Sequence, residues 1–209
     1  MTNELKDPSL GQQLEFTGRL FDYKEFRKYS YNFVETGCAN GDGVQRALNA
    51  GFDTIVSIEA AAEWFMKAAE RFSNKQALDR QRVMIEYGKS TDKLQKVIDY
   101  FTTQIVFYLD AHSSGDTSFG HKECIAGEPE FQQDSIIKQE LNIILSNYNK
   151  HIICIDDVNG LSDGHAEEYM ELCLQYNPNY KFRFYDEQLD SKGPRYQDKI
   201  LTAIVYENI

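Results

Sequence analysis

Tyr31-Asn-Phe-Val-Glu-Thr-Gly-Cys-Ala-Asn-Gly-Asp-Gly43 carries a short β-type run into glycines at 37, 41 and 43, and a helical pattern opens straight after it. The apolar run predicts a strand over 31–35. Val44, Ala47 and Leu48 then share one helical face, and Gly51 is placed to end that helix. Glycines in the connection let the backbone turn tightly and come close to a ligand. A dinucleotide fingerprint GxGxxG beginning at Gly41 requires glycine or alanine at 46, where Arg46 stands, so a nicotinamide or flavin site fits poorly.

Outward from this unit, β-type runs alternate with helical patterns. Strands are expected over 31–35, 54–58, 82–87, 104–110, 151–156, 180–186 and 199–206. Between them the helical faces are Trp64, Phe65, Ala68 and Phe72; Leu94, Val97, Ile98 and Phe101; Ile137, Leu141, Ile144 and Leu145. Such alternation indicates an α/β fold with a mostly parallel sheet and helices on both faces. The last two strands are separated only by a turn-rich stretch, so they should form an antiparallel hairpin at one edge. In open sheets of this kind ligands bind beyond the carboxyl ends of the strands, so the strand-ending residues are the candidates for chemistry.

Those residues are rich in acids. Strand 31–35 ends in Glu35 and the second in Glu59, where a carboxylate can accept a pair of ribose hydroxyls. The third runs into Gly88-Lys89-Ser90, where Ser90 either caps the next helix or also touches a ligand. The fourth ends Asp110-Ala111-His112 and the fifth Asp156-Asp157. Three carboxylates converging from adjacent strands repel one another unless neutralised, and a hard divalent cation such as magnesium is their usual partner. The competing readings are an Asp156-Asp157 pair that caps a turn and an Asp110 that binds an amine or water without metal.

The loop pattern acid-x-Gly-x-Gly-x-Gly, with Ala39 in place of the middle glycine, resembles that of the class I S-adenosylmethionine-dependent methyltransferases. The five alternating units and terminal hairpin also resemble their Rossmann-like seven-stranded sheet. The strand-end acids are most similar to those of the metal-dependent O-methyltransferases, catechol O-methyltransferase and, more closely, the sugar O-methyltransferases of macrolide and aminocoumarin pathways, over most of residues 31–206. The resemblance implies that S-adenosylmethionine is held by Glu35, Gly37, Cys38, Ala39, Asn40, Gly41 and Gly43, by Glu59 and Ala60, by Gly88, Lys89 and Ser90, and by Asp110 and Ala111. It implies magnesium on Asp110, Asp156 and Asp157, with Asp110 and His112 at the catalytic centre. His112 stands where the sugar enzymes place a general base but have aspartate; the alternative is a histidine that only hydrogen-bonds a metal-bound carboxylate.

The remaining features bound the function. The 209 residues suit one methyltransferase domain over 1–209, with 1–30 a leader whose Phe16, Phe21, Tyr23 and Phe26 are expected to cover the cofactor. A net charge of -11 argues against a nucleic-acid acceptor, and without an apolar leader or a membrane-length run the chain reads as cytoplasmic. Cys38, Cys124, Cys154 and Cys173 have no zinc spacing and are expected as free thiols. The polar stretch 112–133 is expected to line or cover the acceptor pocket, with His121 and Lys122 as contacts, or else to be a solvated loop. The leading expectation is a magnesium-dependent O-methyltransferase for a sugar, glycan or other small-molecule hydroxyl. The rivals are a metal-free methyltransferase for a protein, nucleic-acid or nitrogen acceptor, and a cofactor-binding domain without catalysis.

Overall fold

The structure, a computed structural model, describes residues 8–73, 82–111, 133–147, 150–158, 165–186 and 199–205. Its strands are β1 (Leu14–Leu20), β2 (Asn32–Thr36), β3 (Thr54–Glu59), β4 (Val83–Tyr87), β5 (Ile105–Leu109), β6 (Ile152–Val158), β7 (Tyr180–Asp186) and β8 (Lys199–Val205). The described helices are α1 (Tyr23–Arg27), α2 (Asp42–Ala50), α3 (Ala62–Ser73), α4 (Ser90–Asp99), α5 (Gln133–Asn147) and α6 (His165–Tyr176). A 3-10 turn, Pro8–Gln12, precedes β1.

The sheet order is β1-β7-β8-β6-β5-β2-β3-β4. All neighbours are parallel except β8, which runs antiparallel to both β6 and β7. The seven expected strands are present, with ends shifted by at most about two residues, within the ordinary ambiguity of such boundaries. The eighth, β1, comes from the leader and pairs with β7, so the terminal hairpin is not the edge of the sheet.

Alternation along the strands sorts the core into two layers. On one face Val34, Ile58, Phe107, Ile153 and Phe182 pack with Leu94, Val97 and Ile98 of α4, Ile137, Leu141 and Ile144 of α5, and Tyr169, Met170 and Cys173 of α6. On the other, Phe33, Ile55, Val106, Ile152 and Ile204 meet Tyr23 and Phe26 of α1, Val44 and Ala47 of α2, and Ala68 and Phe72 of α3. Gly51 ends α2 as expected: it adopts φ 90° and its N–H bonds the Ala47 carbonyl. Cys38, Cys154 and Cys173 are buried free thiols, while Cys124 lies outside the described residues. No described helix is long and apolar enough to cross a membrane.

Candidate functional site at the carboxyl edge of the sheet

At the end of β2 the chain leaves the sheet through three residues with positive φ: Gly37 (83°), Ala39 (44°) and Gly41 (85°). Gly37 donates to the Ile58 carbonyl at 3.0 Å, and a Cβ on it would overlap the Asp110 carbonyl, so only glycine lets the loop lie on the neighbouring strand end. Ala39 stands in the middle-glycine position and keeps a glycine-type backbone, at a cost of ~1 kcal/mol. Gly41 is the N-cap of α2, and its N–H closes a turn on the Cys38 carbonyl at 2.8 Å. Phe72 of α3 packs against Gly41, and Arg71 bonds both the Asn40 carbonyl (2.7 Å) and Asp42 (2.8 Å). The periodicity of α3 marks only its apolar face, whereas Arg71 clamps the loop through a contact between segments far apart in sequence.

Hydrogen bonds continue the ladder past the strand ends and draw the expected segments together. Gly37 N–H reaches Ile58, Gly88 N–H reaches Glu59 at 2.9 Å, and Asp110 N–H reaches Thr36 at 3.0 Å. The segments 37–43, 59–61, 88–90 and 110–111 therefore lie side by side along one edge. Between them the Glu59 carboxylate accepts from Ala39 N–H on one oxygen and Ala61 N–H on the other, each at 2.8 Å. Burial pushes the Glu59 carboxyl up, and bonds from Ala61, Ala39, Ala60 and Cys38 partly restore its acidity. A carboxylate has about four lone-pair directions, so two amides leave it with accepting capacity for ribose hydroxyls. Ser90 is the first residue of α4, with Lys89 at the N-cap, so Ser90 does not cap the helix.

Glu35 lies deeper than its strand-end position suggests. It is 3% exposed, it accepts from the Ser57 hydroxyl at 2.6 Å, and its other oxygen occupies the place a Gly43 side chain would need. Burial raises its carboxyl to about 8; Ser57 lowers it, and Asp110 and Glu59 raise it further. Glu35 thus supports the loop and the first turn of α2 from below.

Asp156 is buried, its Oδ2 accepts from the Tyr108 hydroxyl at 2.5 Å and its Oδ1 from Asp157 N–H at 2.9 Å. Asp157 takes φ 51° within β6, where the register to β8 shifts between Ile155 and Val158. Among the described residues no group of three or more His, Cys, Asp or Glu could hold a metal. Asp156 thus has one protein donor on each oxygen, and Asp110, Asp156 and Asp157, the residues expected to hold magnesium, are not gathered into such a group. Tyr108 carried a readable signal for this: it lies two residues before Asp110 and so on the same face as Asp156. Its hydroxyl is pushed well up, by burial first and then by Tyr23 and Asp156. His112, His121 and Lys122 lie outside the described residues.

No protein-family model and no curated protein sequence matches the chain. Solved structures do. An O-methyltransferase from Bacillus cereus in complex with SAH superposes over 99% of this chain and 84% of its own, with 15% identity and a TM-score of 0.58. The O-methyltransferase TomG from Streptomyces achromogenes, involved in tomaymycin synthesis and in complex with SAM, covers 98% of this chain and 82% of its own, with 14% identity and a TM-score of 0.57. The methyltransferase domain of bacterial CtHen1 covers 87% and 94%, with 11% identity and a TM-score of 0.54. At such identities the likeness is one of architecture, and this chain has the fold of the S-adenosylmethionine-dependent class I methyltransferases.

Proposed function

We propose that residues 1–209 act as one S-adenosylmethionine-dependent O-methyltransferase domain for a small-molecule hydroxyl. The observation that carries this reading is the alignment of the 37–43, 59–61, 88–90 and 110–111 segments at the carboxyl edge, with the Glu59 carboxylate held between them. Gly37, Cys38, Ala39, Asn40, Gly41 and Gly43 offer backbone to the methionine part, with Glu35 as support beneath. Glu59 and Ala60 take the ribose, Gly88, Lys89 and Ser90 border the adenine, and Asp110 and Ala111 close the methionine end. Bound there, the cofactor would supply a sulfonium methyl to an acceptor oxygen. His112, next along the chain from Ala111, is the proposed acceptor of the hydroxyl proton, with Asp110 beside it.

The acceptor class implied by the sequence resemblance is a sugar or other polyol, and it enters as part of this proposal. Magnesium is left out of the mechanism because Asp110, Asp156 and Asp157 are not gathered into a metal-holding group among the described residues. Calorimetry with S-adenosylhomocysteine and NAD, followed by label transfer from the methyl donor to a panel of sugars and phenols, tests the reading. Micromolar binding of the nucleoside, about 8 kcal/mol, is expected with no NAD heat. Tight NAD binding without nucleoside binding refutes it; nucleoside binding without transfer to any acceptor points to a non-catalytic domain.

A further inference from the structure

Between α1, α2 and the start of β8 lies a cavity of about 310 Å³, at the lower end of the range for small-molecule sites. Its lining divides by chemistry: Phe21, Tyr23 and Ile200 give apolar surface, while Lys24, Arg46 and Asn49 give two cations and an amide. Among the described residues neither cation is in an ion pair. The acid one turn before Arg46, Asp42, is held by Arg71 at 2.8 Å. Asp22, the acid in the lining, is committed as the cap of α1, accepting from Lys24 N–H at 2.9 Å. Two cations outside any described ion pair, sharing one concavity, are conspicuous on a chain of net charge -11.

A second observation points to an occupant. Tyr23 is 7% exposed; its hydroxyl lies close to the Arg46 guanidinium and the Tyr108 hydroxyl but meets neither in good hydrogen-bond geometry, and the Tyr108 ring stacks on it at 5.3 Å. Buried polar atoms are normally satisfied, so an unsatisfied one in a cavity wall calls for a ligand or water. A cavity of this size that combines aromatic walls, an amide and a guanidinium suits a single ring bearing a planar anion, since arginine pairs with carboxylates through a two-pronged fork.

We propose that this cavity binds a small aromatic carboxylate: the anion meets Arg46 and Lys24, the ring lies among Phe21, Tyr23 and Ile200, and a polar substituent reaches the Tyr23 hydroxyl. The site shares no lining residue with the cofactor loop and stands independently of the methyl-transfer reading. Calorimetric titration of the full chain with benzoate, 4-hydroxybenzoate, benzamide and inorganic phosphate tests it. The benzoates should bind saturably below about 1 mM, with benzamide and phosphate at least about tenfold weaker. Arg46→Gln, at an exposed position, should weaken both benzoates about tenfold with an unchanged circular-dichroism spectrum. Tyr23→Phe should weaken 4-hydroxybenzoate and leave benzoate unchanged. Absence of saturable benzoate binding, benzamide or phosphate binding as tightly as benzoate, or an Arg46→Gln protein with wild-type affinity would each overturn the assignment.

Discussion

Glu35→Gln should make the protein more resistant to denaturant at alkaline pH, although it removes an acid from beneath the loop. Burial holds the Glu35 carboxyl at about 8, against an ordinary value of 4.5. Between pH 6 and 8 the unfolded chain has released this proton and the folded chain still holds it. The folded state thus binds more protons, and its stability falls as pH rises through that window, levelling off above about 8. The slope is about 1.4 kcal/mol per pH unit, so about 2 to 3 kcal/mol is lost over the window. Glutamine keeps the volume and can still accept from Ser57, but it does not titrate. Urea unfolding followed by Trp64 fluorescence at pH 6, 7, 8 and 9 should give a wild-type stability that declines relative to the variant. Parallel curves for the two proteins would refute the buried, proton-holding account of Glu35.

Tyr108→Phe keeps the ring against Tyr23 and Phe33 but strips Asp156 Oδ2 of its donor, and should cost about 1–3 kcal/mol in urea unfolding. Arg71→Met should change stability by less than ~1 kcal/mol, because its ion pair with Asp42 is partly exposed, yet raise the S-adenosylhomocysteine Kd about five- to twentyfold in calorimetry by freeing the loop. Burial depresses His151 to about 4, and its Nδ1 accepts from Ile105 N–H. Protonation is disfavoured in the fold, so the stability this histidine contributes is present above about 6.5 and is lost as pH falls towards 4. His151→Gln should flatten that acid limb in urea titrations.

The sheet was legible because its strands are apolar runs bounded by turns, and because Gly37, Gly41 and Gly51 mark where chain direction changes. β1 was not legible. Its sequence, LEFTGRL, forms a mostly exposed strand, and Gly18 with φ 58° interrupts it, so no alternating apolar stripe announces it. Helix α6 did carry a pattern, Ala166, Tyr169, Met170 and Cys173, that periodicity alone could have picked out. At the site, spacing located the strand ends correctly but could not say which side chains turn inward. Glu35 and Asp156 look like two more edge acids in sequence, whereas in the fold each is drawn below the edge by a hydroxyl, Ser57 for one and Tyr108 for the other.

The pairing of β1 with β7 also sets a timetable for biosynthesis. Glu15 and Arg183 are 168 positions apart, yet they form an ion pair across that junction, and Phe16 stacks on Phe184. At ~5–20 residues per second a ribosome needs about 8 to 34 s to deliver the second partner after the first. Throughout that interval Leu14–Leu20 has no strand to join, and the central β2-β3-β4-β5 ladder, whose partners lie much closer in sequence, can already assemble. Leu14–Leu20 is then among the last segments to find its place, and an early arrest of translation would leave it unpaired beside a half-built sheet.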